Sequence, residues 1–139
     1  MYLLDTNVVS ELRRPKPHGA VVAWLESVPE DHLHVSAVTL GELQAGVEIT
    51  RDQAPEKAAV IETWLDQIAR THKILPMDGA AFREWARLMN HRSHELIEDA
   101  MIAATATIHN LTVVTRNVRD FAPLGVPTLN PYTAKRPTR

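Results

Sequence analysis

Residues 2–12 read YLLDTNVVSEL. The apolar run at 2–4 has the make-up of a short buried strand, and it breaks at Asp5-Thr6-Asn7, three side chains that form turns and cap helices. Residues 8–12 then have room for about a turn and a half of helix before Pro15 and Pro17 end it. Strand, turn and short helix in that order is how a wound α/β sheet begins, with a carboxylate delivered at the strand's carboxyl end.

The alternation continues outward from this unit. Val21, Val22, Trp24, Leu25 and Val28 recur at helical spacing over 20–28, and residues 33–36 form a second strand candidate. A helix over 39–49 places Leu40, Leu43 and Val47 on one face; a turn over 52–55 leads to a helix over 55–69 carrying Val60, Ile61, Trp64, Leu65 and Ile68 inward. A brief strand at 74–76 precedes a helix over 80–89, with Phe82, Trp85 and Leu88 or Met89 inward, and an alanine-rich helix over 99–109. Strands at 111–114 and, after a turn at Gly125, at 126–129 complete the pattern. The expectation is an α/β fold in three layers, α/β/α, around a central, mainly parallel sheet of four or five strands.

The chain of 139 residues fits one domain, expected over residues 1–131, with 132–139 as a basic, flexible tail. There are no cysteines, so disulfides and thiolate metal sites are excluded and any metal takes oxygen or imidazole ligands. No apolar run is long enough to span a bilayer and no leader precedes the first strand, so a soluble cytoplasmic protein without membrane association is expected. The net charge of −2 is not that of a broadly basic nucleic-acid binder. Its distribution is uneven: Arg116, Arg119, Lys135, Arg136 and Arg139 face the single acid Asp120 over residues 112–139, and Arg13, Arg14 and Lys16 fill the loop after the first helix.

Ligands of a parallel sheet bind beyond the carboxyl ends of its strands. Asp5, Glu42, Asp99 and the Asn117-to-Asp120 turn can converge on one such rim. Gathered carboxylates resist ionising together and are neutralised by a proton or a cation; Mg²⁺ or Mn²⁺, which favour oxygen ligands, fit that need and support phosphodiester hydrolysis. Each acid also has a structural alternative. Asp5 can cap the first helix, Thr39 and Glu42 match a capping box, Asp99 can face a helix dipole, and either Asn117 or Asp120 can cap the turn at 118–121 while the other faces the pocket. Glu11, Glu95 and Glu98 read as solvated acids, the seven histidines as solvated or core residues, and the tryptophans as packing or dimer contacts.

Four segments carry a recognisable set: LLDTNVVSEL at 3–12, SAVTLGEL at 36–43, EDAMIAATA at 98–106 and VVTRNVRDF at 113–121. Together they resemble a PIN domain, and within that family the VapC-type toxins of type II toxin–antitoxin systems, including the FitB-like branch. The resemblance implies a Mg²⁺- or Mn²⁺-dependent endoribonuclease that hydrolyses RNA. It further implies a toxin homodimer and a cognate VapB-type antitoxin whose C-terminal arm occludes the acidic pocket, with operator DNA reached only through that antitoxin. By motif, Asp5, Glu42 and Asp99 match the three core, metal-holding acids, and Thr6 and Thr115 match hydroxyl positions that orient water or acid. Many relatives carry aspartate where this chain has Asn117; Asp120 matches an acid that recurs in the same segment.

Two other functions compete. The protein could act mainly as a co-repressor that dimerises a DNA-binding antitoxin, with catalysis secondary. A phospho-acceptor receiver domain also gathers acids at sheet ends, but it calls for paired acids after the first strand and a lysine ending the last; neither is present beside Asp5 or at 126–129.

Overall fold

The structure, a computed structural model, describes residues 1–133. Residues 134–139, with most of the expected basic tail, lie outside the described part. Five strands, β1 (Tyr2–Leu4), β2 (Leu33–Ser36), β3 (Lys73–Leu75), β4 (Thr112–Val114) and β5 (Thr128–Leu129), form one sheet in the order β3-β2-β1-β4-β5. Every pairing is parallel. Seven α-helices connect them: α1 (Thr6–Glu11), α2 (Gly19–Glu26), α3 (Ala37–Gln53), α4 (Pro55–Thr71), α5 (Gly79–Met89), α6 (Ile97–His109) and α7 (Val118–Phe121).

Side chains alternate across a strand, so each face of the sheet acquires its own core. Leu3 and Val113 pack with Ala100, Ile102, Ala103, Ala106 and Phe121 on one face. Leu4 and Val114 pack with Val8, Val9, Val21, Val35 and Ile68 on the other. That is the three-layer arrangement the alternation predicts. The alanines of α6 are fully buried, and their small side chains let this helix lie close to the sheet.

The chain winds from β1 to β2 and β3 on one side, then returns to lay β4 against the opposite edge of β1. The winding therefore reverses between β1 and β4, where a parallel sheet opens a crevice at its carboxyl edge. Asp5 and Thr115 are the first residues beyond those two strands, and the Asp5 N–H still donates to the Val114 carbonyl at 2.9 Å.

Several local expectations need correction. Val60 is 71% exposed, because the inward stripe of α4 runs through Ala58, Ile61, Leu65 and Ile68 and turns Val60 away. Phe82 is also exposed, standing edge-on to Trp85 with ring centroids 6.1 Å apart, while Ala81, Trp85, Leu88 and Met89 meet the core. Only Ala54 separates α3 from α4, where a four-residue turn was expected. Ser36, not Thr39, caps α3: its hydroxyl accepts from the Val38 N–H, so the capping box around Glu42 does not form. Tyr132, read as the start of the tail, packs against the β1-side core.

Phe121 and Val60 give opposite expectations in urea denaturation. Phe121→Ala lowers stability by about 3–5 kcal/mol through the cavity it leaves. Val60→Ala changes it by less than about 0.5 kcal/mol; a Val60 effect as large as that of Phe121 would contradict the exposed placement.

Candidate active site

Asp5 caps α1 and is 4% exposed, so its charge has lost most of its water. Three donors compensate. The Thr6 N–H reaches Oδ1 at 2.8 Å; the Asn7 side-chain amide and the Thr115 hydroxyl reach Oδ2 at 3.1 and 2.8 Å. Thr115 in turn accepts from the Asn117 N–H at 2.9 Å, which ties the turn after β4 to the same carboxylate. Burial nonetheless dominates, and the Asp5 carboxyl titrates above its ordinary range despite these hydrogen bonds.

Glu42 arrives from α3. The Thr6 hydroxyl donates to its Oε1 at 2.9 Å and stands 3.0 Å from the Thr39 hydroxyl, from which it accepts. Thr6 thus ties α1 to α3. The pKa of Glu42 is raised, first by loss of solvent and then by the charges of Asp5 and Glu98. Asp99, in the first turn of α6, is pushed up to about 6: burial is the largest cause, followed by the charges of Asp5, Asp120, Glu42 and Glu98.

The structure therefore gathers Asp5, Glu42, Asp99 and Asp120 within one mutual field, although they come from four separate segments. Asp120 faces the acids through its charge on Asp5 and Asp99. Asn117 heads α7 without a side-chain capping bond and shares with Asp120 the wall of an open cavity of about 380 Å³. Among the described residues, no three Asp, Glu or His side chains close into a ready-made ligand set. Such a spread still suits Mg²⁺ or Mn²⁺, which take one or two carboxylates directly and keep several waters. The chemistry of the donors, carboxylates from buried Asp5 to exposed Glu42 whose charges oppose ionisation of Glu42 and Asp99, fits a hard cation.

Two residues went unnoticed in the sequence reading of the site. Asn7 bridges its halves: its amide nitrogen donates to Asp5, and its Oδ1 accepts from the Arg116 N–H at 3.4 Å. Its place in the Asp5-Thr6-Asn7 turn was the available signal. Thr39, fully buried, is the other. Glu11, expected to be solvated, is 5% exposed. Burial acts to raise its pKa, but the His18 N–H, the Tyr132 hydroxyl and the Arg14 charge outweigh that and bring it below the usual value. Arg14 and His18 follow α1 closely, but Tyr132 lies 121 residues away, so α1 alone gave no hint of it.

The PIN domain family profile matches residues 2–125. Over 95% of its length the chain is 37% identical to the toxin FitB of Neisseria gonorrhoeae, 99% of which is covered. It is 34% identical to VapC ribonuclease Y4jK of Sinorhizobium fredii, over 95% of this chain and 98% of that one. Among solved structures it resembles FitAcB from Neisseria gonorrhoeae, with a TM-score of 0.85 and 36% identity over 96% of this chain and all of that one.

Carboxyl-detected NMR on metal-free protein is expected to show Asp99 titrating at about 6 and moving downward in Asp5→Asn, which removes one like charge. Its ordinary value is 3.8, so the folded state binds this proton more tightly than the unfolded chain. Asp99 therefore favours folding below that value, and its contribution is lost as pH rises through about 6. Asp99→Asn should accordingly raise the urea midpoint at about pH 7 and leave it unchanged near pH 3; destabilisation at neutral pH would contradict the mutual repulsion.

Proposed function

The chain belongs to the PIN-domain family, and on that premise we propose that it is a metal-dependent endoribonuclease, the toxin of a VapBC-type toxin–antitoxin pair. The observation that carries the reading is the convergence of Asp5, Glu42 and Asp99 at the reversal point of the sheet, where the charge of Asp5 raises the pKa of both Glu42 and Asp99. Asp5, Glu42 and Asp99 would hold Mg²⁺ or Mn²⁺ there. When bound, the cation supplies Lewis-acid stabilisation of the phosphate and of the leaving oxygen.

The remaining roles belong to the chain itself. Thr115, Asn7 and the Thr6 N–H hold the Asp5 carboxylate in one orientation, so it needs no rearrangement when the substrate arrives. The Thr6 hydroxyl does the same for Oε1 of Glu42. Asn117 and Asp120 form the outer rim, one offering an amide that both donates and accepts, the other a negative charge. In the reaction, water adds to phosphorus as the bond from phosphorus to the ribose oxygen breaks; the acidic cluster takes up the proton that water loses, and the leaving ribose oxygen takes a proton from solvent.

The proposed partners are an RNA substrate, a second copy of the chain and a VapB-type antitoxin that carries the complex to operator DNA. The names of the two relatives, one a toxin and one a ribonuclease, support this pairing of roles. The proposed place of action is the cytoplasm; among the described residues no helix is long and apolar enough to cross a membrane.

Protein purified free of any antitoxin is expected to cut RNA with Mg²⁺ or Mn²⁺ and to stop when the cation is chelated. Asp5→Asn should lower kcat/KM by about 10² or more. Cutting at the original rate after chelation overturns the metal mechanism, and a wild-type protein that cuts neither single-stranded nor structured RNA overturns the ribonuclease reading.

A further inference from the structure

A second assembly, of opposite charge, shares a cavity wall with Asp120. The Arg116 guanidinium sits 4.6 Å from the centre of the Tyr132 ring. A guanidinium stacked on an aromatic face is held in place yet keeps the N–H groups of its fork free for a planar acceptor. The ring is itself anchored. Its hydroxyl donates to the buried Glu11 at 3.1 Å and lies 3.4 Å from the Asn7 carbonyl, while His18 packs edge-on against it at 5.1 Å. The Arg116 N–H also reaches the Asn7 side chain, so the same asparagine that steadies Asp5 steadies the base of the arginine.

Arg116 opens onto the cavity of about 380 Å³, whose wall also holds Asn117, Val118, Arg119, Asp120 and Asn130. Two guanidiniums and two amides there face one carboxylate. Among the described residues the arginine ion pairs involve Arg14, Arg51 and Arg87; neither Arg116 nor Arg119 has one. The volume falls in the range of small-ligand sites. A cluster of acids repels a polyanion, so a strand that must pass Asp5 and Asp99 needs compensating cations close by.

We infer that Arg116, held by the Tyr132 ring, binds a backbone phosphate of the RNA strand next to the one being cleaved, with Arg119, Asn117 and Asn130 completing that subsite. Glu11 and Tyr132 are positioning residues that act through Arg116. This inference rests on the ribonuclease reading for the identity of the strand, but binding and cutting are separable. An acidic peptide is the competing occupant; Asp120 opposes either anion, and the RNA strand is favoured because this wall adjoins the acids that would cut it.

The test combines two measurements on the full chain: anisotropy of a dye-labelled single-stranded oligoribonucleotide in metal-free buffer over a salt series, and steady-state cleavage in Mg²⁺. Arg116→Ala is expected to weaken binding about tenfold and to flatten the slope of log affinity against log salt by about 0.7, the share of one phosphate contact on a single strand. KM should rise by a similar factor while kcat falls less. Arg116→Lys keeps the charge but not the fork, so it recovers part of the affinity. Tyr132→Phe keeps the stacked ring but loses its tie to Glu11, so it binds between wild type and Arg116→Ala; Tyr132→Leu binds like Arg116→Ala. Circular dichroism checks each fold, and if Tyr132→Leu does not fold, the exposed Arg116 series alone decides. Unchanged affinity and salt slope in Arg116→Ala overturn the inference even when the wild type cuts RNA. Wild-type binding that Arg116→Ala weakens, without any cutting, sinks the ribonuclease reading and leaves the subsite standing. A wild type that neither binds nor cuts removes both.

Discussion

A carboxylate that has lost its water must find hydrogen-bond donors or give up its charge, and Asp5 is where this structure meets that demand. The donors come from the start of α1 and from the residue after β4, so satisfying one side chain joins the sheet's first strand to its fourth. Thr6, set by the same turn, extends the join to α3 through Glu42 and Thr39. The buried alanines of α6 let that helix approach the sheet, and with it Asp99. Each further acid is positioned relative to the first, and each adds to a repulsion that hydrogen bonds reduce and a cation would relieve.

The charge pattern is layered outward from that point. Acids occupy the crevice at the reversal of the sheet, and exposed arginines on the turn after β4 stand at its mouth. The Asn7 side chain touches both layers, accepting from the Arg116 backbone while donating to Asp5. With a net charge of only −2, the protein carries its electrostatic information in placement and not in total.

The parts legible in the sequence were those in which local pattern and tertiary role coincide. An apolar run ending in Asp5-Thr6-Asn7 marks a strand end whether or not its partners are known, and TRN after the run at 113–114 marks another. The sheet and its strands followed from that alternation. Helical faces were less secure: α4 offers apolar residues at both Val60 and Ile61, and only the packing of α3 against it decides which turns inward. Glu11 was misread because two of its hydrogen-bond donors, Tyr132 and His18, lie outside α1, and a helix of six residues is too short for its apolar pattern to mark an inward acid. The choice between Asn117 and Asp120 depended likewise on a turn whose orientation is set by Thr115.

The order of the strands has a consequence for biosynthesis. β1 leaves the ribosome before the other four strands yet occupies the centre of the sheet, and the contact that completes its carboxyl end, Thr115 to Asp5, spans 110 residues. Such a closure cannot form until Thr115 has left the ribosome, and it is among the slower events of folding because the intervening loop must first be drawn together. A nascent chain that has not yet released β4 and Thr115 therefore holds Asp5 without the strand edge and the hydroxyl that complete its crevice.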